Sequence, residues 1–158
     1  MQAQMLAPAA VLIAWSIVML FWVAFTRGPE MAKLKNARAE RPGEGVEFTK
    51  SAGGRGGDLD KLIAKRAVWP SHNYTHLMEQ PTIFYPVVVI LAIMGAGAGD
   101  VLAAWIYVAL RIVHSFWQSL VNTLAIRAAL FFAATLALIY LAYRAIAVTV
   151  FHDPGAFP

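Results

Sequence analysis

Four stretches of this chain, about residues 6–26, 73–94, 101–120 and 124–150, are long and apolar enough to cross a bilayer as helices. A hydrocarbon core about 30 Å thick needs roughly 20 residues rising about 1.5 Å each. This constrains the fold more than anything else, because backbone polar groups in lipid must be satisfied within the segment itself. The expected fold is all-α: an integral membrane four-helix antiparallel bundle, one domain over 1–158, with a polar loop at 27–71 and two short turns. Composition agrees. At 59% hydrophobic and 14% charged, with mean hydropathy +0.60, the chain is more apolar and less charged than an average soluble domain.

A net charge of +4 suggests a nucleic-acid partner only until the charges are located. Ten of the thirteen Lys and Arg (Arg27, Lys33, Lys35, Arg38, Arg41, Lys50, Arg55, Lys61, Lys65 and Arg66) lie between the first and second apolar runs. Basic residues beside spans prefer the cytoplasm. The loop is therefore expected to be cytoplasmic and both termini, with the Gly95–Asp100 turn, on the other side, as in a multi-pass protein of a bacterial inner membrane. The lipid bilayer is the expected partner, and nucleic acid is not. The apolar start is expected to be a span rather than a removable signal, because MQAQM carries no positive charge and the run is too long. It is expected to end at Arg27-Gly28-Pro29.

Gly43-Glu44-Gly45 and Gly53-Gly54-Arg55-Gly56-Gly57 mark a solvated loop. SAGGRGGDLDK is not a phosphate loop, which needs its Lys and Ser/Thr directly after the last Gly. With no cysteine, disulfides, thiolate metal sites and a cysteine nucleophile are excluded. Pro81 and Pro86 interrupt the second span, and Pro154 and Pro158 mark a short tail.

Four ionisable residues, Glu79, Arg111, Arg127 and Arg144, fall inside the apolar runs, where charge is costly and functional sites are the default explanation. At 100° per residue His72, His76 and Glu79 share one stripe, flanked by Asn73 and Gln80, and Arg111, His114, Ser115, Gln118 and Asn122 share another. Glu79 and Arg111 are placed to pair, either as a structural salt bridge or within a polar cavity at the loop end of the bundle. The surplus of polar neighbours favours the cavity. Arg144 is expected to snorkel to the far interface. A metal on His72, His76 and Glu79, or a haem between His76 and His114, is a weaker reading, because Arg111 and Arg127 would repel a dication; no metal is expected. Trp105, Trp117 and Tyr143 are expected as packing or interfacial anchors. Ala103, Ala104, Ala128, Ala129, Ala133 and Ala134 would let helices approach closely. The outer half, Val87–Met94 and Val101–Leu110, is almost wholly apolar, which disfavours a pore.

These residues resemble the membrane-associated proteins in eicosanoid and glutathione metabolism (MAPEG), well over about residues 65–145 and by topology alone over the first span. Glu79 matches the Glu of the family's N-x-x-E pattern, with His76 at the Asn position and Asn73 nearby. The R-x-x-H pattern is present as Arg111-Ile112-Val113-His114. An ungapped run from there places the family's functional arginine on Arg127. Gln118 and Phe131 stand where the prostaglandin synthase of the family has tyrosines, and Ala128 where it has serine.

The resemblance implies a homotrimer whose members bind glutathione between neighbouring subunits. Arg127 would be the catalytic residue holding the thiolate, and Asn73, His76, Glu79, Arg111, His114 and Gln118 would bind the peptide. It implies a transferase or peroxidase acting on a lipophilic small molecule that arrives from the bilayer. Conjugation and peroxide reduction use the same thiolate and are not separated by the sequence. The lost hydroxyls motivate an alternative: a non-catalytic accessory subunit, within a larger membrane complex, or a lipid-binding protein.

Overall fold

A computed structural model of the chain describes residues 2–40, 60 and 62–151. The glycine-rich stretches 43–45 and 53–57, and the tail with Pro154 and Pro158, lie outside the described residues. Regular structure among the described residues is helical: α1 (Gln2–Glu40), α2 (Lys65–Glu79), α3 (Pro81–Met94), α4 (Ala98–Leu120) and α5 (Leu124–Val150). Helices α2 and α3 form one broken span, so four segments are long and apolar enough to cross a membrane: Gln2–Asn36, Lys65–Met94, Ala98–Leu120 and Leu124–Val150. The expected all-α membrane bundle is the fold that forms.

The joint between α2 and α3 follows from Pro81, which has no N–H for the carbonyl of Leu77 and whose ring crowds that carbonyl. Gln80 is left as the single residue between the two helices. The Thr82 hydroxyl donates to the Glu79 carbonyl and the Ile83 N–H to the Gln80 carbonyl, so the break keeps partners. Pro86, by contrast, is carried inside α3.

Gly95 ends α3 at φ 96°, a left-handed conformation that glycine adopts without strain. Asp100 then starts α4: its carboxylate accepts the Gly97 N–H at 2.9 Å, and its charge suits the positive end of the helix dipole. At the other end of α4 the Val121 and Asn122 N–H groups both reach the Trp117 carbonyl, at 3.0 and 2.7 Å. Asn122 turns the chain at φ 58°, which Asn tolerates better than most side chains.

One core runs through the bundle, with Met5, Leu12 and Met19 of α1, Leu77 of α2, Phe84, Val88 and Leu91 of α3, Tyr107 of α4 and Leu141 of α5. Helices α4 and α5 make the most extensive contact. Ala104 and Ala134 are fully buried, small enough for close helix approach. Large apolar side chains, among them Ile17, Phe21, Ile93, Leu102, Leu136 and Ile139, stand on the outer surface, a pattern suited to lipid rather than water.

Two boundaries differ from expectation. Helix α1 does not stop at Arg27-Gly28-Pro29; its 39 residues make it about 58 Å long. Pro29 removes one backbone bond, and the helix survives because its extension docks on the start of α2. There Glu30 accepts from Lys33 at 2.8 Å and from Arg66 and the Ala64 N–H at 3.4 Å, and Arg27 donates to Ser71. Leu34 packs with Ile63, Ala67, Val68 and Trp69 in a second small cluster. That docking also explains why α2 begins at Lys65 rather than near residue 73.

Candidate functional site

Helix α4 buries its polar stripe. Arg111, His114, Ser115 and Gln118 are each buried, on the face turned into the bundle. Arg111 donates from Nε to the Tyr107 hydroxyl at 3.2 Å, and its Cζ lies 5.4 Å from the Tyr107 ring and 5.2 Å from the Phe131 ring. Those are cation–π distances. Its Nη1 and Nη2 are buried and have no hydrogen-bond partner among the described residues.

The expected pair between Glu79 and Arg111 does not form. Helix α2 turns Ala67, Pro70, Asn73 and Leu77 inward, and Glu79 lies about 200° round the helix from Leu77. The stripe read from the sequence is real but sits on the outside: the side chains of His72, His76 and Glu79 are 49%, 39% and 61% exposed. Glu79 Oε2 and His76 Nδ1 are 3.0 Å apart, and His72 meets Asp60. No group of three His, Asp or Glu side chains suited to a metal gathers among the described residues.

His76 nonetheless reaches back to the α4 stripe, its ring 6.3 Å from that of His114 and edge-on to it. His114 lies within electrostatic reach of Arg111, His76 and Arg127, so both site arginines approach one imidazole. Arg127, half-buried in the first turn of α5, donates from Nη1 to Asn122 Oδ1 at 2.8 Å. The Phe131 ring lies 6.5 Å from His114, against the same groups.

Asn73 is fully buried with neither amide atom partnered among the described residues, and Gln118 Oε1 and Ser119 Oγ are buried and unpartnered there too. Each such atom costs about 1–3 kcal/mol when left unsatisfied. With the two Nη atoms of Arg111 they concentrate on α2 and α4, which pack directly together. Unmet polar groups on the same two packed helices as a cationic guanidinium can bind a polar anion.

Several partners were not foreseen. Tyr107 sits one turn before Arg111 on the same stripe, a spacing visible in the sequence. Gln80, at the α2–α3 joint, and Thr135 of α5 join at 2.8 Å, which no spacing within one helix reveals. Asn122 leaves the α4 stripe and serves Arg127 instead. Arg144 does not snorkel alone: its Nε and Nη2 donate to Asp100 Oδ1 and Oδ2 at 2.9 and 3.3 Å. This pair ties the start of α4 to the last turns of α5, outside the apolar runs 87–94 and 101–110.

The arrangement is a buried arginine, a second arginine one helix away, two imidazoles and unpaired amides, all near the α2–α4–α5 junction. No curated protein and no solved structure matches the chain. A family model described as MAPEG family matches residues 5–147, taking in the first span that the motifs alone did not reach. Its extent over nearly the whole chain, together with the four-span fold, establishes that the protein belongs to the MAPEG family, membrane proteins associated with eicosanoid and glutathione metabolism.

Proposed function

We propose that the protein is a glutathione-dependent transferase or peroxidase acting on a lipophilic electrophile or hydroperoxide, and that it works as a homotrimer with its basic loop in the cytoplasm. The observation that carries this reading is Arg111: a buried guanidinium whose Nη1 and Nη2 have no partner among the described residues. Charge in a low-dielectric interior needs compensation, and a carboxylate matches an arginine fork. Glutathione carries two carboxylates, amides and an amine. Asn73 and Gln118 suit the amides, His114 and His76 the polar backbone, and Glu79 the amine. Exposure of His76 and Glu79 on the protomer surface fits a site completed by a neighbouring subunit.

Bound glutathione would supply a thiol nucleophile. A free thiol has a pKa of about 8.5 and is mostly protonated at neutral pH. Arg127 is the group assigned to hold the thiolate, and Asn122 fixes its side chain. The apolar outer surface gives a lipid-dissolved substrate a lateral approach.

One observation favours the second reading, a non-catalytic accessory or lipid-binding subunit. Phe131, not a tyrosine, packs against Arg111 and His114, so the site lacks a hydroxyl there. Mixing glutathione with the detergent-purified protein separates the two. Thiolate absorbance should appear with wild type and fall by about 100-fold in apparent thiolate affinity with Arg127→Ala, the scale of a lost anion-stabilising donor. Absence of glutathione binding at millimolar concentration refutes the transferase reading. Binding without turnover of any electrophile or hydroperoxide selects the accessory subunit.

A further inference from the structure

The break at Pro81 places Gln80 in a chain of hydrogen bonds that ends on Arg111. Arg111 Nε–H donates to the Tyr107 hydroxyl at 3.2 Å, and that hydroxyl donates to Gln80 Oε1 at 3.5 Å. Gln80 Nε2 donates to Thr135 Oγ1, and Thr135 Oγ1 donates to the Phe131 carbonyl, both at 2.8 Å. Every proton runs the same way, from α4 across the joint to the backbone of α5. Because Thr135 gives its only hydroxyl proton to Phe131, it can only accept from Gln80. The Gln80 amide is thereby fixed with its oxygen toward Tyr107, and Tyr107 is left with its lone pairs toward Arg111. Phe84 stacks on the Tyr107 ring at 4.4 Å, and both Tyr107 and Phe84 are fully buried.

We infer that Thr135, Gln80 and Tyr107 are positioning residues that lock Arg111 by its Nε and leave Nη1 and Nη2 as the fork that receives a ligand carboxylate. This inference rests on the glutathione reading for the ligand but not for the relay itself. None of the three residues need touch the ligand. A guanidinium held only by its Nη atoms would have no free fork, and one held by nothing would lose the side-chain order that makes bidentate binding tight. Since the Nη atoms are buried in this conformation, the surrounding side chains must shift for a carboxylate to reach them, while the Nε anchor stays.

The test uses Tyr107→Phe and Gln80→Ala in the full-length protein, with two readouts. The first needs no ligand: hydrogen exchange at the Arg111 Nε, followed by NMR of 15N-arginine protein in detergent, with the signal assigned by its loss in Arg111→Lys. Exchange should be slow in wild type and at least about tenfold faster in Tyr107→Phe, the scale of one lost hydrogen bond. The second is glutathione binding in a double-mutant cycle with Arg111→Ala. Tyr107→Phe and Gln80→Ala should each weaken binding about 5–20-fold when Arg111 is present and less than about twofold when it is absent. A ligand lacking the glycyl or glutamyl carboxylate that Arg111 holds should lose the same sensitivity.

Unchanged Nε exchange in both variants overturns the relay whatever glutathione does. Faster exchange with unchanged affinity and no coupling to Arg111 overturns the ligand role of the relay. Faster exchange in the variants, with no glutathione binding by wild type, refutes the transferase reading and upholds the lock on Arg111. Because Tyr107→Phe keeps the ring against Phe84, a folded variant is expected, and Gln80→Glu, which retains the acceptor toward Tyr107, should restore slow exchange if Gln80→Ala disturbs packing.

Discussion

Asp100→Asn is the change that best tests whether the far end of the bundle is structural rather than part of the site. The carboxylate is buried and accepts the Gly97 N–H at 2.9 Å and Arg144 Nε and Nη2 at 2.9 and 3.3 Å. Asn has a similar shape and can keep the helix cap through its oxygen, worth about 1 kcal/mol. It then turns an N–H₂ toward the guanidinium in place of a charged acceptor. Loss of hydrogen bonds to a charged group costs about 1.5–3 kcal/mol, and the partial exposure of Arg144 puts the result toward the lower end. The expected loss is about 2 kcal/mol. At about 2–4 °C per kcal/mol for a chain of this length, the thermal midpoint in detergent, followed by tryptophan fluorescence, should fall about 4–8 °C. Glutathione affinity should stay within about twofold, because Arg111 and Arg127 lie toward the opposite end of their helices and distant sites act independently. A midpoint shift under about 1 °C would mean that Arg144 is compensated by the interface alone, and the bonds to Asp100 would then carry no stability. A large loss of glutathione affinity in a stable variant would refute the division of the bundle into a structural end and a binding end.

Three further outcomes follow from the same geometry. Asn122→Gly keeps the left-handed turn but deletes the Oδ1 that holds Arg127, so the midpoint should hold within about 2 °C while kcat falls several-fold; Asn122→Ala should add a folding loss of about 1 kcal/mol from the strained φ. Glu30→Gln weakens the docking of α1 on Lys33, Arg66 and the Ala64 N–H, and hydrogen exchange should quicken over residues 28–36 and 62–68 with 98–150 unchanged. A chain without cysteine allows clean labelling: Ala52→Cys should react with an impermeant maleimide only from the cytoplasmic side and Ala98→Cys only from the other, and the reverse pattern would overturn the assigned orientation.

The fold was legible because span length and hydropathy are properties of one segment at a time, and lipid leaves few alternatives to a helix. Residues on the α4 stripe were legible for the same reason, as Arg111, His114, Ser115 and Gln118 share a face at helical spacing. What needed coordinates was the direction in which a stripe points. His72, His76 and Glu79 align as neatly as the α4 set, but Asn73 and Leu77 take the inward face and leave them outside. Partners across helices were also illegible: nothing in the sequence joins Gln80 to Thr135 or Asp100 to Arg144. The end of the first helix was illegible because Gly28-Pro29 is a local stop signal, and Glu30 and Leu34 override it through contacts with the start of α2.

The three arginines of α4 and α5 show how the bundle distributes charge. Arg144 meets a carboxylate, Asp100. Arg127 meets a neutral amide, Asn122, which satisfies a donor but not a charge. Arg111 meets a phenol and two ring faces, and it is the most buried of the three. The most buried of the three thus has no carboxylate partner among the described residues, the reverse of what stability alone would select, since an uncompensated buried charge is among the costliest features a fold can carry. Glu79 does not redress the balance, because it faces outward and meets His76. The positive potential left around Arg111 and Arg127 is the physical reason to expect an anion there. Two centres spaced along adjacent helices suit a ligand with a carboxylate at one position and an ionisable thiol at another better than a single compact anion. Inorganic sulfate should accordingly compete with glutathione only weakly, and a fully competitive, equally tight sulfate would refute that assignment.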